Sequence, residues 1–305
     1  MNIIETRDIT KVFRSKTAVE DICLEIPEGV ICGLLGPNGA GKTTTLRMLV
    51  GLSRPTRGSI HISGKPAGFR HKSYLRSIGY LSEIPRFYEW MNAPQYLRFV
   101  GRIFELSPAD IRDRTAELLD TVGLSGVKTK IGGYSKGMKQ RLGIAQSLIH
   151  RPKVLFLDEP TSGLDPINRK EILGFISTLR TSTTVVMSTN NLNDVETVCD
   201  YVAIIHRGRL ITQSRLSELR QKYVSSAIAL EVSDPSEPFL AALNQADFVQ
   251  SVEAGENALI IYTDDLQAAS SKLPALLSEH RVGLIRYEEI EPDLEQIFSS
   301  IVGAS

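Results

Sequence analysis

The run Gly36-Pro37-Asn38-Gly39-Ala40-Gly41-Lys42-Thr43 constrains this chain more than any other stretch. It matches G-x-x-x-x-G-K-[ST], the phosphate-binding loop pattern. Cradling a triphosphate brings backbone N–H groups close to phosphate oxygens, and glycines permit that because they lack Cβ and tolerate positive φ. Lys42 supplies a charge for the β- and γ-phosphates, and Thr43 a hydroxyl for Mg²⁺. The apolar run Val30-Ile31-Cys32-Gly33-Leu34-Leu35 predicts a buried strand before the loop. Thr44 to Val50 predicts a helix after it, its positive N-terminus facing the phosphates. Residues Gly36 to Thr44 are therefore the predicted nucleotide cradle.

Composition sets the frame. A chain of 305 residues has room for about two domains. At 42% hydrophobic it can bury a large core, and zero net charge gives no general attraction to nucleic acid or anionic lipid. Cys23, Cys32 and Cys199 lie far apart without paired spacing, which fits a reducing compartment. The stretch Met1 to Arg7 has no apolar segment of the signal-peptide kind. No uncharged apolar run approaches the ~20 residues of a membrane helix, so any action at a membrane calls for another chain to cross it.

A second motif points to the reaction. Val154-Leu155-Phe156-Leu157 is an apolar run ending in Asp158-Glu159-Pro160. It predicts a buried parallel strand with two carboxylates at its C-terminal end, where ligands bind in open α/β sheets. Asp158 is placed to hold Mg²⁺, directly or through water. Glu159 can then polarise the water that attacks the γ-phosphate.

A third motif carries a family resemblance. Tyr134-Ser135-Lys136-Gly137-Met138-Lys139-Gln140-Arg141 precedes a predicted helix to Leu148, with Ser135 as N-cap and Pro152 bounding its end. Lying shortly before the Asp158-Glu159 strand, it resembles the signature sequence of the ATP-binding-cassette (ABC) ATPases. The resemblance implies that Ser135 and Gly137 contact the γ-phosphate of ATP bound to the opposite subunit. Tyr134 stands where the family usually has Leu, and Lys136 where it has a second Gly. Ser162-Gly163-Leu164-Asp165 matches the family's dimer-contacting D-loop, and Asp165-Pro166 also reads as a helix start. Phe13 matches the aromatic that stacks on adenine; the other reading is a core aromatic beside the first strand. The implied fold is an α/β P-loop cassette over residues 1–222. It combines a RecA-like core, an antiparallel β subdomain and a helical subdomain at about 85–150.

Two positions depart from the family pattern. After Ser77-Ile78-Gly79-Tyr80-Leu81 the usual Gln that reaches Mg²⁺ is Glu83, whose carboxylate can also bind the metal; the other reading is a surface loop residue. After Thr183 to Thr189 the usual switch histidine is Asn190. Asn can donate one hydrogen bond to a phosphate oxygen but cannot carry a proton near neutral pH. Binding is expected to persist while hydrolysis slows by a few orders of magnitude. Three origins fit Asn190: a degenerate site in a heterodimer, an engineered trap, or a tolerated variant.

Between Glu83 and the signature, Asn92-Ala93-Pro94-Gln95 predicts a capped helix with Leu97, Val100 and Phe104 on one face. Ser107-Pro108 starts a second, carrying Ile111, Leu118, Leu119 and Val122 and ending at Gly123. Phe87, Tyr88 and Trp90 form an aromatic segment that suits a partner groove or local packing under the helices. Arg207-Gly208 predicts a hairpin turn between strands 201–206 and 209–212, with Ser214 capping a helix to about Tyr223. Residues 223–305 predict a separate α+β domain: strands at 227–232, 248–252, 258–262 and 282–288, helices at 237–245, 266–280 and 293–301, and a turn at Gly255. That β-α-β-β-α-β order predicts a ferredoxin-like sandwich. Glu291-Pro292-Asp293-Leu294-Glu295-Gln296-Ile297-Phe298 resembles a C-terminal motif of bacterial drug, sodium and polymer exporter ATPases.

The resemblance implies an ATPase that closes around ATP and Mg²⁺ with a second ATP-binding subunit, identical or different. It would drive separate transmembrane permease subunits from the cytoplasmic face of the membrane. The competing class, soluble ABC ATPases of ribosomes or DNA, usually carries two cassettes or long coiled coils. This chain has one cassette, no sustained heptads and no basic arm, so no nucleic-acid partner is expected.

Overall fold

The computed structural model describes residues 1–14, 16–68, 71–222, 226–233, 235–254, 258–263, 265–290 and 294–303. They divide into two compact units, Met1–Leu216 and Ser217–Ser305.

The first unit is built on two sheets. β1 (Asn2–Phe13), β2 (Lys16–Ile22), β3 (Glu25–Pro27), β5 (Arg57–Ile62) and β6 (Lys65–Ala67) form an antiparallel sheet. The second sheet has β4 (Ile31–Leu35), β7 (Ile78–Leu81), β8 (Val154–Asp158), β9 (Thr184–Thr189), β10 (Tyr201–His206) and β11 (Arg209–Arg215), ordered β11-β10-β4-β9-β8-β7. Its neighbours pair in parallel except for the β10–β11 hairpin. Every residue of β4, β8 and β9 is buried, as expected of continuous apolar runs covered on both faces. Helices α1 (Lys42–Leu49), α5 (Pro166–Thr178) and α6 (Leu192–Val198) follow β4, β8 and β9. Their N-termini therefore gather at the C-terminal edge of the sheet, where the sequence places its motifs.

α2 (Ala93–Ile103), α3 (Pro108–Thr121) and α4 (Lys136–Leu148) form the helical part. Asn92 and Gln95 make the predicted capping box, each side chain bonding the other's backbone N–H at 3.0 Å. Ser107 and Ser135 cap α3 and α4. Leu97, Val100, Ile111, Leu118, Leu119 and Val122 are buried as the helical spacing predicts. Phe104 instead stacks on His150, ring centroids 3.7 Å apart, while His150 Nε2 lies 2.8 Å from the Ile78 carbonyl oxygen. That histidine joins the helical part to β7. Phe87 and Tyr88 pack on Tyr96, with Tyr88 also against Phe99, whereas Trp90 meets the Tyr88 ring at 6.1 Å and stays 65% exposed. Local packing thus accounts for the first two aromatics more fully than for the third.

α7 (Leu216–Lys222) begins at the end of the first unit. Strand β11 runs on to Arg215, so Ser214 pairs with Val202 inside the sheet instead of capping the helix. The alternation of Leu210, Thr212 and Ser214 suits a strand, and the predicted end at Thr212 came too early.

In the second unit β12 (Ser226–Ser233), β13 (Ser251–Ala254), β14 (Leu259–Thr263) and β15 (Gly283–Ile290) form an antiparallel sheet ordered β13-β14-β12-β15. α8 (Glu237–Asn244) and α9 (Leu266–Glu279) connect them in the ferredoxin-like order. Phe239, Leu243, Leu273 and Leu277 pack on Ile228, Leu230 and Ile261. The predicted strand at 248–252 begins instead at Ser251, because Val249 N–H closes a turn onto the Ala246 carbonyl and Phe248 is buried in the helix–sheet core. α10 (Leu294–Gly303) is the last helix. Gly255, Tyr223 and Glu291 to Asp293 lie outside the described residues.

Gly79 shows how tightly the helical part sits. A Cβ there would run into the Ser147 carbonyl of α4, a backbone atom that cannot rotate away. Gly79→Ala is expected to cost roughly 1–3 kcal/mol, the usual range for overpacking. Calorimetry should show the first unit melting earlier; an unchanged melting temperature would mean that α4 shifts freely.

Candidate nucleotide site

Gly41 ends the glycine loop at φ 111, a left-handed conformation suited to glycine. A Cβ at this position would lie 2.9 Å from the Ala18 carbonyl oxygen. The helix therefore starts at Lys42, two residues before the predicted Thr44, and Lys42 and Thr43 form its first turn. Gly39 (φ 80) has nothing within 4 Å of a built Cβ, so the loop is open on that side.

Lys42 is 6% exposed and donates to the carbonyls of Gly36 (2.6 Å) and Pro37 (3.4 Å). Its ammonium also lies 3.5 Å from Glu159 Oε1. Thr43 Oγ1 donates to Asp158 Oδ1 at 2.9 Å, and Ser188 Oγ donates to the same oxygen at 2.7 Å. Asp158 is buried, and these bonds compensate its lost hydration. Glu159 leaves β8 at φ 47, its N–H directed at the Ser188 hydroxyl and carbonyl oxygens (3.0 and 3.2 Å). Burial raises the Glu159 carboxyl above its ordinary value; the nearby Lys42 ammonium opposes the rise and Asp158 adds to it.

Lys42, Thr43 and Glu159 border a cavity of about 750 Å³, together with Phe13, Asn38, Gly39, Ala40, Gly41, Thr44, Glu83, Ser162 and Asn190, while Asp158 lies buried behind Thr43. Phe13 is 51% exposed, which excludes the reading as a core aromatic, and the Lys11 ammonium lies over its ring, 4.9 Å from the centroid. Glu83 is exposed on the loop after β7 and borders the cavity. Asn190 Nδ2 donates to Asn38 Oδ1 at 3.2 Å, tying the end of β9 to the phosphate loop. Neither His150 nor His206 reaches this cavity, so neither takes the place of the missing histidine.

Ser135 and Gly137 stand apart from it. Ser135 caps α4 through the Met138 N–H at 3.2 Å and is otherwise exposed. Gly137 is buried against Asn168 of α5, whose Oδ1 would lie 2.7 Å from an added Cβ. The D-loop is braced from beneath: Thr161 Oγ1 and Arg169 Nε both donate to buried Asp194, each at 2.6 Å. Sequence reasoning missed Lys16, Thr17 and Ala18 of β2, and the part of Arg207 and Gly208 in this wall. Proximity in sequence to Phe13 could have flagged the first three; the hairpin pair comes from the far side of the chain.

The chain matches the family model described as ABC transporter over residues 19–162. It is 38% identical over 306 residues to an uncharacterized ABC transporter ATP-binding protein, YxlF, of Bacillus subtilis (strain 168), covering 99% of this chain and 100% of that one. It is 35% identical to the bacitracin transport ATP-binding protein BcrA of Bacillus licheniformis, covering 99% and 97%. The daunorubicin/doxorubicin resistance ATP-binding protein DrrA of Streptomyces peucetius is 33% identical, covering 99% and 89%. Among solved structures, an ATP-binding subunit of an ABC transporter aligns with a TM-score of 0.65 and 29% identity over 72% of this chain and 93% of that one. This chain is an ABC transporter ATP-binding protein. Its cassette is an ATP-binding and ATP-hydrolysing module.

Glu159 can accept a proton only when ionised. With burial outweighing Lys42 in the free protein, the acid limb of kcat/KM against pH should fall above the ordinary glutamate value of 4.5 if Glu159 is the base. A limb at or below that value would mean that the Lys42 ammonium dominates.

Proposed function

We propose that this protein is the ATP-driven motor subunit of a membrane exporter, with residues 1–222 as cassette and 223–305 as accessory domain. The observation that carries the reading is the convergence of Lys42, Thr43 and Glu159 on one cavity, with buried Asp158 bonded to Thr43 directly behind it. Lys42 would release its loop carbonyls to neutralise the terminal phosphates, and the N–H groups from Gly39 to Thr44 would hold their oxygens. Glu159 would take the proton of the attacking water. Phe13 would stack on adenine.

The residues fit Mg²⁺ as well. Among the described residues no cluster of three His, Cys, Asp or Glu could hold a metal alone, so water and phosphate oxygens would complete the shell. Thr43 and Asp158 would hold the ion, with Glu83 within the same cavity. Mg²⁺ would supply charge neutralisation on the transferred phosphoryl group.

Ser135 and Gly137 are absent from their own chain's cavity, which supports a second ATP-binding subunit presenting its signature helix across ATP. Among the described residues no helix is long and apolar enough to cross a membrane, so separate permease subunits would carry the substrate. The cytoplasmic membrane face is the proposed location. The bacitracin and daunorubicin/doxorubicin names of the relatives suggest a cargo of a comparable kind. Asn190 favours one variation: a slow subunit that holds ATP longer than it turns it over.

Steady-state turnover tests the assignment. Glu159→Gln should lower kcat by about 10²–10⁴-fold with ATP binding intact. Asn190→His should raise it by about a hundredfold if the missing group limits hydrolysis; no gain would remove Asn190 as the limiting position. Copurification with a multi-span membrane protein is expected, and its consistent absence would count against the transporter reading.

A further inference from the structure

The β10–β11 turn, Arg207-Gly208, enters the cavity from a part of the chain outside the motifs. Gly208 N–H donates to the Ala40 carbonyl at 2.9 Å, and its carbonyl accepts from Glu20 N–H at 2.8 Å. The turn is thus pinned on one side to the phosphate loop and on the other to β2, the hairpin partner of the strand that ends in Phe13. A Cβ at Gly208 (φ 82) would stand 2.9 Å from the Ala18 carbonyl oxygen, so the backbones are packed closely. Arg207 itself is held at φ 47. Asn or Gly adopts that conformation more easily, so turn geometry does not account for a guanidinium here. Among the described residues Arg207 is exposed and has no hydrogen-bond or ion-pair partner, whereas Arg209, two residues on, pairs with Glu20 at 3.1 Å.

We infer that Arg207 is an additional nucleotide contact, binding the phosphate nearest the ribose. The inference rests on the reading of this cavity as the ATP site. A nucleotide with its base at Phe13 and its outer phosphates in the glycine loop would lay its ribose and α-phosphate between them, and the Arg207 turn is bonded to the phosphate loop and to β2 on the same cavity. Of those two groups, the anionic one suits a guanidinium, whose planar fork of donors matches phosphate oxygens. An Arg here would add affinity to ATP, ADP and AMP alike. It differs in this from Lys42, which serves the outer phosphates.

The test is calorimetric titration of the full chain with ATP, ADP, AMP and adenosine, weak ligands being measured by competition against ATP. Wild type, Arg207→Asn, Arg207→Lys and Lys42→Ala are compared. Asn preserves the left-handed turn, so a folding defect does not mimic the result. Arg207→Asn should weaken all three phosphorylated ligands by roughly tenfold, the scale of a charged hydrogen bond. It should leave adenosine unchanged, and Lys should recover part of the loss. Unchanged ATP affinity in Arg207→Asn would overturn the inference, as would an equal loss for adenosine or a loss confined to ATP and ADP. If wild type binds ATP and Lys42→Ala does not, such results overturn only the role of Arg207. A wild type without ATP affinity overturns the reading of the site together with it.

Discussion

One carboxylate oxygen organises the first unit. Asp158 Oδ1 accepts from Thr43 at the start of α1 and from Ser188 near the end of β9, while Asp158 itself closes β8. Three elements distant in sequence are therefore fixed at one atom. A buried carboxylate is tolerated only when its hydrogen bonds are supplied, so these hydroxyls are structurally demanded as well as chemically useful. Ser188 does more: it also receives the Glu159 N–H, which helps hold Glu159 in its left-handed backbone conformation. Remove the Ser188 hydroxyl, and both Asp158 and the proposed base lose a hydrogen bond; remove that of Thr43, and Asp158 alone does.

Much of this was legible in the sequence because each motif names its own local structure. Glycines before Lys42 announce a tight loop, apolar runs announce buried strands, and Asn92, Ser107 and Ser135 announce helix starts. The β-α-β-β-α-β order of the second unit followed from alternation and turn residues, and the observed strand order agrees with it. What escaped was set by tertiary context. The extension of β11 to Arg215 depends on pairing with β10, which local propensity at Ser214 does not encode. The delayed start of β13 depends on Phe248 finding a place in the helix–sheet core. The part of Arg207 in the cavity depends on two backbone bonds to residues more than 150 positions away.

Asn190 illustrates the difference between a position and its chemistry. Sequence alignment to the family pattern locates the residue, and the structure gives it a partner, Asn38 of the phosphate loop. An amide pair of this kind can hold a loop in place, and it can present one donor to a phosphate oxygen. It has no proton to exchange near neutral pH. Positional function and proton chemistry, combined in one residue in the family pattern, are therefore separable in this chain. On the proposed reading, the bond to Asn38 would keep the first, and an amide would lack the second.

The cavity also supports a directional argument. One chain supplies the phosphate loop, the carboxylates, an exposed aromatic and Arg207. Its signature residues are built on a different foundation: Ser135 caps α4, and Gly137 is wedged against Asn168 of α5. α5 is in turn tied through Arg169 to Asp194, which also anchors Thr161 beside the D-loop. A pull on the D-loop is thus transmitted by buried charged hydrogen bonds to the element that supports the signature glycine. In the proposed dimer, the loop that touches the partner and the helix that reads the partner's ATP share one brace. Closure at one nucleotide would then bear directly on the other, through Asp194 and through Asp165 of the D-loop, which caps α5 and bonds Asn168 itself.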